Sequence, residues 1–213
     1  MIDRTARTDY PVHELISRRW SPVRFEDRPV EVEKLRQVFE AARWGSSCYN
    51  EQPWRFVVGV KGHSGVHEKI VSTLVDANRQ WAQHAPVLAI SVAKLAFDRN
   101  GKPNRHAQHD VGLAAGNLCV QATALGLAVH QMGGFDSQKA RQVLGIPDGF
   151  EPMAAIAIGY AGGGDRLPAE VRARDAQPRQ RLPLSSLVFD ESWGEAASIL
   201  AERSPRSMTM GHE

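Results

Sequence analysis

Residues 106–125 constrain the fold of this chain more than any other segment. They carry Val111, Leu113, Ala114, Ala115, Leu118, Cys119, Ala122 and Leu125 at helical spacing, contain no proline, and are followed by Gly126 as a stop. Gly112 and Gly116 are four apart, which gives this long helix a small-residue face that a second helix can approach closely. The run Val87-Leu88-Ala89-Ile90-Ser91-Val92, entered through Pro86, suits a strand buried on both faces. One long apolar helix and one doubly covered strand require a layered domain.

The remaining pattern fills those layers. Residues 11–19 read as a short helix with Pro11 at its first position, and residues 32–43 as a second with Leu35, Val38, Phe39 and Ala42 on one stripe. Residues 55–60, 128–132 and 153–160 read as strands, residues 65–83 as two helical pieces, and residues 137–144 as a helix stopped by Gly145 and Pro147. The alternation is α+β or α/β. From Gly162 onward, glycines, charges and Pro168, Pro178 and Pro183 leave little to build a core, so this stretch is expected to wrap over a neighbouring surface such as another copy of the chain. Residues 204–213 are expected to be disordered.

Composition narrows the classes. The chain has 213 residues, 42% of them apolar, enough for one substantial core. Its 26 basic against 24 acidic residues leave a net charge of +2, too little to imply a nucleic-acid surface. Two cysteines, Cys48 and Cys119, make neither a zinc site nor a disulfide framework. Residues 1–10 lack the apolar core of a secretory signal, and no apolar stretch approaches the roughly 18 residues of a membrane span. The expectation is a cytoplasmic protein with no membrane partner and no nucleic acid.

Two basic clusters stand far apart, Arg18-Arg19-Trp20-Ser21-Pro22 and Pro178-Arg179-Gln180-Arg181-Leu182-Pro183. Guanidinium groups grip phosphate oxygens in a forked geometry, and the second cluster is explained by no helix dipole. The segment Ser46-Ser47-Cys48-Tyr49-Asn50-Glu51-Gln52-Pro53-Trp54 offers hydroxyl, thiol and amide groups that suit a planar heteroaromatic ring bearing carbonyls.

Together with Asn78-Arg79-Gln80-Trp81-Ala82, Asp110-Val111-Gly112-Leu113-Ala114-Ala115-Gly116-Asn117 and Gln131-Met132-Gly133-Gly134-Phe135, these segments resemble the nitroreductase family, in the family's order, over residues 12–183. The resemblance implies a three-layer α/β/α sandwich of the α+β class with a mostly antiparallel mixed sheet, in an intertwined homodimer. It implies FMN as cofactor and NAD(P)H as reductant. Carried over by position, Arg18, Arg19, Trp20 and Ser21 hold the phosphate and ribityl end, and Arg179 and Arg181 close on the phosphate. Ser46, Ser47, Cys48, Asn50 and Gln52 resemble residues reaching the flavin ring, partly from the other subunit, and Asn78 a ring or ribityl contact. Gly133 and Gly134 match the peptide that faces flavin N5, where a backbone without side chains allows close approach. On this reading residues 1–10 are an extension, 11–190 the FMN-binding domain and 191–213 a partly disordered tail.

Two positions depart from the family. Val23 stands where a basic residue is common, with Arg24 beside it, and losing that cation makes reduction harder unless Arg24 turns inward. Cys48 stands where serine is usual and reads as a small packing residue. Trp81 could line a ring pocket, although packing is the default for large aromatics. The expected activity is hydride transfer from NAD(P)H by way of the flavin to a small organic acceptor, such as a nitroaromatic, quinone or enone, with ping-pong kinetics. The competing readings are a flavin-binding, storage or flavin-modifying module without organic turnover, and a metal enzyme using His106, His109 and Asp110.

Overall fold

Strand β2 (Val87–Lys94) is the spine of the sheet, with every residue but Lys94 buried. It pairs antiparallel with β1 (Trp54–Val60) on one side and β4 (Phe150–Gly159) on the other, and β4 pairs antiparallel with β3 (Ala128–Met132). The order is β1-β2-β4-β3, so β1 and β3 are the two edges. These relations come from a computed structural model that describes residues 4–163 and 167–201. The last residues of the expected tail, 204–213, lie outside the described residues, as does Gly164.

The two-residue period of the central strands divides the interior into two layers. Val87, Ala89 and Ala93 of β2, with Ile156 and Ile158 of β4 and Val129 of β3, face α2 (Val32–Arg43) and α5 (Ala107–Ala124). Leu88, Ile90 and Val92, with Ala155, Ala157 and Met132, face the other way, toward α3 (Val66–Thr73) and α4 (Asp76–Ala82). Helices therefore cover both faces of an antiparallel sheet, the α+β sandwich that the resemblance implies. A register shift at Ser91/Val92 leaves Met153 unpaired opposite β2.

Three elements have the bounds read from the sequence: α2, β3 and α6 (Ser137–Leu144). Asp136 caps α6 through Lys139 N–H at 2.9 Å, and Gly145 ends it in the left-handed region at φ 68°. The first helix is shorter than expected. Helix α1 spans Glu14–Arg18, and His13, not Pro11, begins it by accepting the Leu15 N–H on its ring. The start of α2 is tied to the end of β4 by the Tyr160 hydroxyl, which donates to Glu31 at 2.5 Å and accepts from Lys34 at 2.8 Å. That hydroxyl, with backbone help, holds the Glu31 carboxyl down to about 2.

The chain forms two compact units, residues 1–177 and 178–213. The first holds the sheet and ends after α7 (Ala169–Arg174), a short helix in the stretch expected to have little structure. The second contains two single turns of 3-10 helix and a Phe189↔Ala196 bridge. Among the described residues no helix is long and apolar enough to cross a membrane.

Candidate functional site

The segment that leaves α1 runs beside the β3 edge of the sheet. His130 Nδ1–H of β3 donates to the Pro22 carbonyl at 2.7 Å, which fixes residues 19–22 there. Arg19 caps α1 and donates through Nη1 to Ser21 Oγ at 3.3 Å. Arg18 is exposed on the last turn, 3.9 Å from Glu14, and Trp20 lies under the Arg4 guanidinium at 5.3 Å. Pro22 and Val23 are buried behind them while Ser21 is exposed, so the polar ends face outward from a fixed base. The charge of Arg19 is felt by His130 and Cys119, but burial dominates both: it lowers the imidazole below 6.5 and raises the thiol above 9.0.

The chain emerging from β3 meets the α3–α4 junction. The Gly134 carbonyl accepts from Asn78 Nδ2 at 3.0 Å and from Val75 N–H at 3.2 Å, and a Leu74↔Phe135 bridge follows. A Cβ on Gly134 would lie 2.6 Å from Asn78 Nδ2 and 2.9 Å from Val75 Cγ2, so any other residue there must displace the Asn78 or Val75 side chain. At Gly133 the same test meets nothing within 4 Å. A bare peptide is thus pinned from behind and left open in front. The structure brings Arg19, Ser21, Asn78, Gly133 and Gly134 to one sheet edge.

Residues 46–52 are anchored elsewhere. Gly45 presses on α5, where an added Cβ would sit 3.0 Å from Ala114 Cα. Asp110, 2% exposed in the first turn of α5, accepts the Cys48 N–H at 3.0 Å and lies 3.2 Å from His109 Nδ1. Ser47 Oγ accepts the Gln52 N–H at 3.0 Å, and Gln52 Nε2 donates to the Asn50 carbonyl at 3.1 Å. Tyr49, Asn50 and Gln52 all adopt positive φ, at 55°, 55° and 50°. Asparagine tolerates this region, but for tyrosine and glutamine it costs about 1–2 kcal/mol each, strain of a kind that clusters at binding sites. A cavity of about 300 Å³ opens beside the loop, lined by Ser46, Ser47, Cys48, His106, His109, Asp110 and Leu113. The loop runs into β1, three strand spacings from β3, or about 14 Å at about 4.8 Å per strand.

The other expected groups have these surroundings. Arg179 and Arg181 belong to the second unit, where Arg181 Nη1 donates to the Gln180 carbonyl at 2.7 Å. Val23 is buried, and Arg24 is matched by Asp175, whose carboxylate accepts from Arg24 Nε at 3.2 Å and from Val23 N–H at 2.9 Å. Arg24 is therefore committed to a buried partner that no sequence signal indicated beyond an acid following the basic residues of α7. Trp81 is fully buried, stacked near Phe25 and His130, so it packs the core and lines no open pocket. Among the described residues no three His, Cys, Asp or Glu side chains converge to hold a metal, His106, His109 and Asp110 included.

Comparison with known proteins bears on this arrangement. The sequence model described as the nitroreductase family matches residues 16–160. An uncharacterised 15.4 kDa protein of Mycolicibacterium smegmatis is 31% identical over 146 residues, covering 66% of this chain and 97% of its own. A protein of Thermus thermophilus named NADH dehydrogenase is 28% identical over 194 residues, covering 78% of this chain and 89% of its own. Among solved structures, one described as an oxidoreductase containing FMN superimposes with a TM-score of 0.83 at 33% identity, covering 91% of this chain and 98% of that one.

Proposed function

This chain belongs to the nitroreductase family, and from that premise we propose that it holds FMN along the β3 edge, where NAD(P)H and a small organic acceptor take turns. It is an NAD(P)H-dependent oxidoreductase with FMN as its cofactor. The single observation that carries the placement is the peptide at Gly133 and Gly134, clamped by Asn78 and bare toward solvent on the same edge as Arg19 and Ser21.

The donor set fits a flavin mononucleotide. Arg18, Arg19 and Ser21 supply cationic and hydroxyl donors for a phosphate. Trp20, stacked with Arg4, keeps the end of α1 oriented. Asn78 holds the Gly134 carbonyl, which turns the adjoining N–H groups into a fixed polar surface for a ring edge. Bound there, FMN supplies the centre that accepts and donates hydride. Ser46, Ser47, Cys48, Asn50 and Gln52 precede β1, the edge strand opposite β3. This separation supports a homodimer in which the partner copy brings this loop to the β3 edge. The open face of α5, with Gly112 and Gly116 bare, supports the same pairing.

Residues of this chain position and shield, and no acid or base side chain is required at the ring. Use of one opening by reductant and acceptor in turn leads to ping-pong kinetics, with a nitroaromatic, quinone or enone as acceptor. An absorbance spectrum of purified protein, before and after anaerobic NADPH, tests cofactor and reduction together. A yellow protein that bleaches is expected, and a colourless one that stays so with added FMN refutes the reading. In the Arg19→Ala protein, FMN affinity should fall by about 10-fold, since hydrogen bonds to charged groups contribute about 1.5–3 kcal/mol. Unchanged affinity would remove Arg19 from the phosphate.

A further inference from the structure

The loop between β2 and α5 meets residues 46–52 in a cluster that the flavin reading leaves unused. Tyr49 is 71% exposed although its backbone is held at φ 55°. The Arg99 guanidinium lies 3.9 Å from the Tyr49 ring centroid and 5.2 Å from that of Phe97, and the two rings meet edge to face at 6.1 Å. Local bonds fix this loop: Phe97 N–H donates to the Lys102 carbonyl at 2.9 Å, Gly101 N–H to the Phe97 carbonyl at 2.8 Å, and Asp98 N–H to the Glu51 carboxylate. The one acid of the loop, Asp98, is paired with Lys94. Arg99, Lys102 and Arg105 have no ion-pair partner among the described residues.

An exposed aromatic ring held in place, with a guanidinium against it and Lys102 on the same loop, is a receiving surface for a flat base that carries a phosphate. The cluster begins one residue from Cys48, which lines the same cavity as Ser46 and Ser47. We propose that Tyr49 and Phe97 receive the adenosine end of the reductant and that Arg99 and Lys102 grip a 2′-phosphate, making NADPH the preferred reductant over NADH. This rests on the FMN oxidoreductase reading above. The two dinucleotides differ only in that phosphate, so an unpaired guanidinium discriminates between them, while ring stacking does not.

Two measurements on the flavin-loaded protein test it. The first compares kcat/KM for NADPH and NADH in the wild type, Arg99→Ala and Lys102→Ala. The wild type should favour NADPH by about 10- to 100-fold, the range expected for hydrogen bonds to a charged group. Arg99→Ala should lose most of that preference while NADH turnover stays within about 3-fold, because the phosphate contact is the main thing removed. Equal use of both dinucleotides by the wild type, or an equal fall for both in Arg99→Ala, overturns the proposal. The second titrates adenosine 2′,5′-bisphosphate and adenosine 5′-monophosphate by calorimetry and needs no turnover, so it remains decisive if the flavin reading fails. Tighter binding of the bisphosphate, abolished in Arg99→Ala and weakened by salt, supports the site. Indifference to the 2′-phosphate sinks it.

Discussion

The two faces of α5 are built for different purposes. Its inner face is closed: Ala107, Val111, Ala114, Leu118 and Ala122 are buried against the sheet and α2, and Gly45 approaches Ala114 at the limit of contact. Its outer face is open, with Leu113 and Val120 exposed and nothing within 4 Å of a side chain added at Gly112 or Gly116. The same contrast recurs on a smaller scale at two adjacent glycines, cramped at Gly134 and open at Gly133. Within this chain, packed glycines hold the fold together, whereas open glycines serve something that one chain does not contain.

The closed face gives the largest expected effect. Leu118 is fully buried, and Leu118→Ala should cost about 2–5 kcal/mol through lost transfer energy and the cavity left behind. Denaturant unfolding monitored by circular dichroism measures it, and a loss under about 1 kcal/mol would mean that this face is loosely packed around Leu118.

The open face should respond in the opposite sense. Gly116→Leu adds a good helix former where no neighbour obstructs it, so the single chain should gain up to about 1 kcal/mol. If a second copy approaches on this face, the same substitution should convert a dimer to a monomer in sedimentation and lower FMN content with it. A variant that remains a flavin-loaded dimer would show that the partner sits elsewhere. Gain in the chain with loss in the assembly is the outcome that separates the two faces most sharply.

The two glycines refine the contrast within one peptide. Gly134→Ala must displace Asn78 or Val75, at about 1–3 kcal/mol in overpacking strain. Gly133→Ala should leave stability within about 0.5 kcal/mol yet weaken FMN binding, because its methyl group projects into the space assigned to the ring. Equal effects on stability from the two substitutions would dissolve the distinction.

What the sequence revealed follows the same division. The bounds of α2, β3 and α6 were legible because apolar spacing, capping residues and stop signals agree there. The two-sided burial of β2 was legible as an unbroken apolar run. Helix α7 was not, because Pro168 and a run of charges hide a single buried valine, Val171. The left-handed backbone at Tyr49 and Gln52 carries no residue signature, since neither type favours it. Asp175 was also hidden, for its partners lie about 150 residues away and only the fold brings them together. The candidate site is proposed from ordered short motifs, whereas the clamp of Asn78 on Gly134 spans 56 residues and leaves no local signature.

Protonation probes the closed interior with the smallest expected effect. His67, 3% exposed on α3, donates through Nε2–H to the Ala85 carbonyl at 2.9 Å, and His130 donates to Pro22; burial lowers both imidazoles below their ordinary 6.5. A buried neutral histidine binds its proton more weakly in the folded state than in the unfolded one, so unfolding takes up protons as the pH falls. Stability from these groups is therefore complete above pH 6.5 and declines below it, by under about 1 kcal/mol per histidine at pH 6. Carboxylates such as Glu31, held at about 2, respond only below their ordinary 4.5, which leaves the histidine window separate. Denaturant midpoints at pH 7.5 and pH 6 should fall in that order, and His67→Gln should flatten part of the slope. Stability that rises on acidification across this window would place at least one imidazole in a charged, partnered state and open a polar gap in the interior.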